Sequence, residues 1–180
     1  AAFQLAVEQG CDMIELDVQL SFDGEIVVCH DDRVERTTNG FGLISEMTLE
    51  QLRQLDAGSW FSAKFAGERI PTLREVFDLV PPSVAINIEL KSGDERMMER
   101  LPALIREYER TESVVLSSFN HRLLHRLKTA APELRIGLLY SAILLNPVQL
   151  VRDFGLDVYS MHPHYFLIEP EDIAALRANG

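Results

Sequence analysis

Two periodicities share this chain. In Met13–Leu20 (MIELDVQL) apolar and polar residues alternate, the period of a strand with one face covered: Ile14, Leu16, Val18 and Leu20 point one way, Glu15 and Asp17 the other. Residues 84–91 repeat the pattern, with Ile86, Ile88 and Leu90 opposite Asn87, Glu89 and Lys91. Elsewhere the apolar residues recur every three or four positions, as in Met97, Leu101, Leu104, Ile105 and Tyr108, or Leu123, Leu124 and Leu127, which predicts amphipathic helices.

Punctuation residues set the limits of these elements. The chain opens in a helix carrying Phe3, Ala6 and Val7 and stopping at Gly10, and its last helix, starting near Glu169, is expected to stop at Gly180. Phe22, Asp23 and Gly24 make a hairpin turn into a second short strand, residues 25–29, which delivers His30. Thr48 with Gln51, and Thr72 with Glu75, are capping boxes that open helices, and Pro81 and Pro82 end the second of these. Asn120 caps another helix, Asn146 with Pro147 opens the next, and Gly155 closes it. Further strands are expected at residues 114–119, 135–140 and 158–161.

Strands alternating with helices imply parallel pairing through right-handed crossovers. Central strands of a doubly wound sheet are apolar on both faces, whereas here carboxylates, Asn87 and Lys91 occupy one face of two strands. That favours a TIM (β/α)8 barrel, which places functional residues at the C-terminal ends of its strands. About six of the eight strands are found. Residues 33–69 break the rhythm with turns at Asn39, Gly40 and Gly42 and an aromatic stretch around Trp60, Phe61 and Phe65. They read as an insertion within a single domain spanning 1–180, lying over the site or packing as a satellite cluster.

Composition narrows the partners. The formal charge of -11 argues against nucleic acid or an anionic membrane as a main partner, because both need clustered Lys and Arg. No apolar run reaches the roughly 20 residues of a membrane span, so stable membrane insertion is not expected. Cys11 and Cys29 lack metal-site spacing and read as reduced structural thiols. Neither end reads as a natural terminus.

Glu15 and Asp17 on one strand face are a start for a Mg²⁺ or Ca²⁺ site, because hard divalent cations take oxygen ligands; they are equally the wet face of a half-buried strand. Glu89 adds a third carboxylate on a second strand. His30 can move protons near neutral pH, and Lys91 can hold a phosphate oxygen. His162 follows the last strand, where it either faces a barrel mouth or sits in a loop with Pro163. His121 and His125 fall one helical turn apart, on the outer face of a helix.

Taken together and in order, residues 10–18 (GCDMIELDV), Asp23-Gly24, His30-Asp31, 36–40 (RTTNG), 55–61 (LDAGSWF), 70–73 (IPTL), 87–91 (NIELK) and 117–119 (SSF) resemble the glycerophosphodiester phosphodiesterases, and most closely their cytoplasmic bacterial members. The resemblance implies a TIM barrel with a segment inserted after its second strand. It implies metal binding by Glu15, Asp17 and Glu89 with Mg²⁺ or Ca²⁺, a catalytic role for His30 with Lys91 near the phosphate, and substrate contacts from Lys91, Arg36, His162 and Trp60. It implies a cytoplasmic enzyme that hydrolyses glycerophosphodiesters to sn-glycerol 3-phosphate and an alcohol. A phosphodiesterase resembling lysophospholipase D and a non-catalytic binding barrel are the alternatives. In that family a first strand with a His-Arg-Gly motif would precede Ala1 and a last strand with Trp-Thr-Val-Asn would follow Gly180, so residues 1–180 alone are expected to be inactive or barely active.

Overall fold

A computed structural model describes residues 1–179, so the expected helix stop at Gly180 lies outside the described residues. They comprise six strands and seven α-helices in the alternation read from the sequence, divided into two compact units, Ala1–Val114 and Val115–Gly180.

The first unit is organised on a parallel ladder. Helix α1 (Ala2–Glu8) leads into β1 (Met13–Leu20), which pairs in parallel with β3 (Ala85–Leu90). Ile14, Leu16, Val18, Ile86, Ile88 and Leu90 are all buried, so the apolar faces of both strands supply a continuous wall of core. Between them in the sequence, β2 (Ile26–Val28) returns antiparallel along the other edge of β1. It is the hairpin partner that the turn at Asp23-Gly24 led us to expect, and it stands outside the parallel set. The turn at Gly24 (φ +86°) adopts a conformation that favours glycine. Ser21 Oγ donates to Asp23 at 2.6 Å, and Asp23 accepts from the backbone N–H of Leu49, which ties the hairpin to the segment that follows.

That segment, residues 33–69, has its own apolar cluster of Val34, Ile44 and Leu52, closed by Val27 of β2 and Ile70. Helix α2 (Leu49–Arg53) starts at the Thr48–Gln51 capping box as expected. Asp56 binds the backbone N–H groups of Gly58, Ser59 and Gly67 and the Ser59 hydroxyl, all within 2.8–3.0 Å, and so organises the aromatic stretch. Gly58 is required there, because a Cβ would stand 1.9 Å from the Phe65 carbonyl oxygen.

Helix α3 (Leu73–Leu79) opens at the Thr72–Glu75 capping box and buries Leu73, Val76 and Phe77. Its C-terminal end is held by Arg110, which follows α4 (Glu95–Glu107). Arg110 is 1% exposed, and its guanidinium donates to the carbonyls of Phe77, Val80, Pro81 and Val84 while stacking over the Phe77 ring. A cation placed among helix C-terminal carbonyls satisfies acceptors that the helix leaves unpaired.

In the second unit β4 (Val114–Ser118), β5 (Arg135–Tyr140) and β6 (Ser160–Pro163) pair in parallel. Helix α5 (His121–Ala130) buries Leu123, Leu124 and Leu127, and α6 (Pro147–Phe154) has Asn146 as its cap and Gly155 at φ +73° as its stop. The last strand lies two residues later than residues 158–161, because pairing with β5 begins at Gly137 opposite Ser160, after Tyr159 N–H bonds the Ile136 carbonyl. Helix α7 (Pro170–Ala178) buries none of its residues.

Candidate active site at the ends of β1 and β3

Register brings the acids together. In the β1/β3 ladder Glu15 lies opposite Asn87 and Asp17 opposite Glu89, and partners on neighbouring strands share a face about 4.8 Å apart. A carboxylate oxygen from each of Glu15, Asp17 and Glu89 lies within 4.8 Å of the others. Lys91, two residues beyond Glu89, places its Nζ 2.5 Å from Glu89 Oε1 and 3.1 Å from Asp17 Oδ1. Like charges opposite one another repel, so an ammonium between Asp17 and Glu89 relieves the pair.

The electrostatics follow from this crowding. Burial, then the charges of Asp17 and Glu89, push the Glu15 carboxyl up. Burial alone would lower the Lys91 ammonium, but hydrogen bonds to Glu89 and Asp17 outweigh it and push it up. Three carboxylates and one ammonium leave excess negative charge, and every donor is an oxygen. Asn87, on the same face and 8% exposed, adds a buried side-chain oxygen with no hydrogen-bond partner. The residues present therefore fit a hard divalent cation, with Glu15, Asp17 and Glu89 as the charged ligands.

His30 follows β2, close enough to Glu15 to act on its carboxyl. Its Nδ1 lies 2.7 Å from Asp31 Oδ1, and Arg36 grips the same carboxylate in two-pronged fashion, Nε to Oδ2 at 2.6 Å and Nη2 to Oδ1 at 2.9 Å. Hydrogen bonds from Arg36 and then His30 hold the Asp31 carboxyl far below the usual carboxylate range. An ionised Asp31 accepts only, so His30 Nδ1 carries the hydrogen and Nε2 is the nitrogen free to exchange a proton.

The structure thus joins Glu15, Asp17, Glu89 and Lys91 in one cluster, and joins His30 to Arg36 through Asp31, a link the sequence reading did not assign. Its signal was present: an acid directly after the histidine and five residues before an arginine. Trp60 lies in the inserted segment, half exposed, its indole N–H donating to the Ala57 carbonyl at 3.0 Å and its ring edge-on to Phe61. His162 belongs to the second unit, where its Nε2 lies 2.7 Å from Ser160 Oγ and its ring covers Gly137. His121 reaches from α5 to the Leu139 carbonyl, and His125 packs edge-on against Phe154.

Comparison with known proteins agrees with this geometry. The family model described as the glycerophosphoryl diester phosphodiesterase family matches residues 1–180. The chain is 49% identical to a glycerophosphodiester phosphodiesterase of Caldanaerobacter subterraneus subsp. tengcongensis, over 100% of this chain and 75% of that protein. It is 39% identical to a putative glycerophosphodiester phosphodiesterase of Bacillus subtilis, over 86% of this chain and 66% of that one. Among solved structures it resembles an Oleispira antarctica phosphodiesterase in complex with the product sn-glycerol-3-phosphate, with a TM-score of 0.85 and 33% identity over 99% of this chain and 74% of that chain. The likeness assigns the β/α alternation to the TIM-barrel fold. A parallel ladder with an acid cluster at its polar face, a histidine on an Asp–Arg pair and a match along its whole length place this chain in the glycerophosphoryl diester phosphodiesterase family.

Proposed function

We propose that the protein hydrolyses glycerophosphodiesters to sn-glycerol 3-phosphate and an alcohol, with a divalent cation, Mg²⁺ or Ca²⁺, held by Glu15, Asp17 and Glu89. The observation that carries this reading is the convergence of those three carboxylates with Lys91 on one face of β1/β3. When bound, such a cation stabilises charge on phosphoryl oxygens and polarises an attacking hydroxyl. Lys91, already seated between Asp17 and Glu89, offers a second positive charge to a phosphate oxygen that displaces one of its carboxylate partners. His30 moves a proton at Nε2 while Asp31 fixes its ring and Arg36 keeps Asp31 ionised. In this reading Arg36 acts through Asp31, and Trp60 contacts the alcohol or glycerol portion of the substrate. The two thiols, Cys11 and Cys29, are free, which suits the reducing cytoplasm we assign to it. No helix among the described residues is long and apolar enough to cross a membrane.

The test is release of glycerol 3-phosphate from glycerophosphocholine by the full-length protein, with and without chelator. Turnover is expected to need Mg²⁺ or Ca²⁺, and Glu15→Gln to lose activity by about 100-fold or more, the scale for removing a principal electrostatic group from an active site. Wild-type turnover in that variant overturns the cation assignment. Faster cleavage of lysophosphatidylcholine than of glycerophosphocholine overturns the substrate assignment.

A further inference from the structure

Asn87 is unexplained by the roles above. It stands opposite Glu15 in the β1/β3 register, two pairs before Asp17 and Glu89 and on the same face, and it is 8% exposed with its side-chain oxygen buried and unpaired. Leaving a buried acceptor without a donor is destabilising, and native structures rarely do so without cause. The groups that β1 and β3 place on the same face do not relieve it. Ionised carboxylates only accept, and the Lys91 ammonium is engaged with Asp17 and Glu89. Ile86 and Ile88, on either side of it, face the opposite way into core.

We propose that Asn87 supplies the uncharged oxygen of the cation site, directed at the ion or at a water bound to it. The inference rests on the divalent cation assigned above and adds a residue to its surroundings. The choice of amide over acid has an electrostatic reason. A divalent ion and the Lys91 ammonium balance three carboxylates, whereas a fourth carboxylate would leave the pocket negative toward an anionic phosphodiester. A carboxamide gives a lone pair of electrons to the ion without that charge. The unpaired oxygen is then a cost carried by the ion-free protein and removed when the cation binds.

Calorimetric titration of Mg²⁺ alone, and separately Ca²⁺ alone, into chelator-treated full-length protein tests this. Asn87→Leu, close in volume but without the oxygen, is expected to bind the cation about 10-fold more weakly, the usual scale for partners around a metal, while melting no lower than wild type in the ion-free state. Asn87→Asp keeps an oxygen and is expected to bind within about threefold of wild type or tighter. Glu89→Gln is the reference and loses binding more severely than either. Wild-type affinity in Asn87→Leu alongside lost affinity in Glu89→Gln overturns the proposal and leaves the cation site standing. Wild-type affinity in Glu89→Gln overturns both. Should Asn87→Leu not fold, a tenfold loss in Asn87→Asp is the overturning result.

Discussion

The ladders β1/β3 and β5/β6 are both parallel and both in regular register, yet they do opposite things with their polar residues. In β1/β3 the register sets Asp17 opposite Glu89, two like charges, with Glu15 beside them. Glu89 and Asn87 on β3 are buried, Asp17 is half-buried and Glu15 exposed, so water relieves that repulsion from the β1 side alone. In β5/β6 the polar residues satisfy each other: His162 bonds Ser160, and both lie over the bare backbone of Gly137. All four residues of β6 are partly exposed. A ladder becomes a ligand site where register crowds like charges on one face and leaves a buried oxygen beside them without a partner; where polar groups pair among themselves, it remains a ladder.

This contrast can be broken or sharpened by substitution. The largest effect is expected at Arg110, which anchors the carbonyls just before β3. Arg110→Met keeps the aliphatic packing but orphans the Phe77, Val80, Pro81 and Val84 acceptors, and should cost about 2–4 kcal/mol in urea unfolding. An unchanged midpoint would mean that the β1/β3 ladder needs no such clamp. Next comes Asp31→Asn, which removes the charge linking His30 to Arg36. We expect kcat for glycerophosphocholine to fall about 10- to 100-fold with cation affinity intact; unaltered kcat would detach His30 from the chemistry.

On the other ladder Gly137→Ala should have a smaller effect, about 1 kcal/mol, because the new Cβ would meet His162 Nε2 at 2.8 Å and the ring must swing away from Ser160. Unfolding combined with the NMR shift of the His162 ring reads both consequences. The smallest effect is expected at Asp56, whose carboxyl is lowered from its usual 3.8, chiefly by the backbone N–H groups of Ser59, Gly58 and Gly67. A depressed carboxyl stabilises the fold at full strength above its unfolded value and loses that contribution as pH falls below it. Protection of the Ser59 and Gly67 amides against hydrogen exchange should therefore fall below about pH 3.8 in wild type, and be lost already at neutral pH in Asp56→Ala. Protection of the β3 amides should be unmoved at neutral pH.

Much of this was legible in local sequence because its physics is local. Alternation at Glu15 and Asp17, and again at Glu89 and Lys91, fixes which residues share a strand face whatever that strand pairs with. Capping boxes at Thr48 and Thr72 act within four residues, so both were readable and both are present. The segment 33–69 was less readable, because its two readings differ only in what its apolar residues pack against. Val34, Ile44 and Leu52 close on Val27 and Ile70, partners from outside the segment. The last strand was placed two residues early because its start depends on the Tyr159 to Ile136 bond across the ladder.

The sequence by itself determined the donor chemistry of the site: carboxylates, an amide, a lysine and a histidine at set positions on strands with one apolar face. Tertiary structure decided which of them meet. Asp17 and Glu89 are distant in the chain and become neighbours only through β1/β3 register, and a one-residue slip would turn one set into the core. That register also seats Lys91 between the two acids and leaves the Asn87 oxygen without a donor. Pairing and burial are properties of the space between strands, and periodicity along one strand carries no information about it.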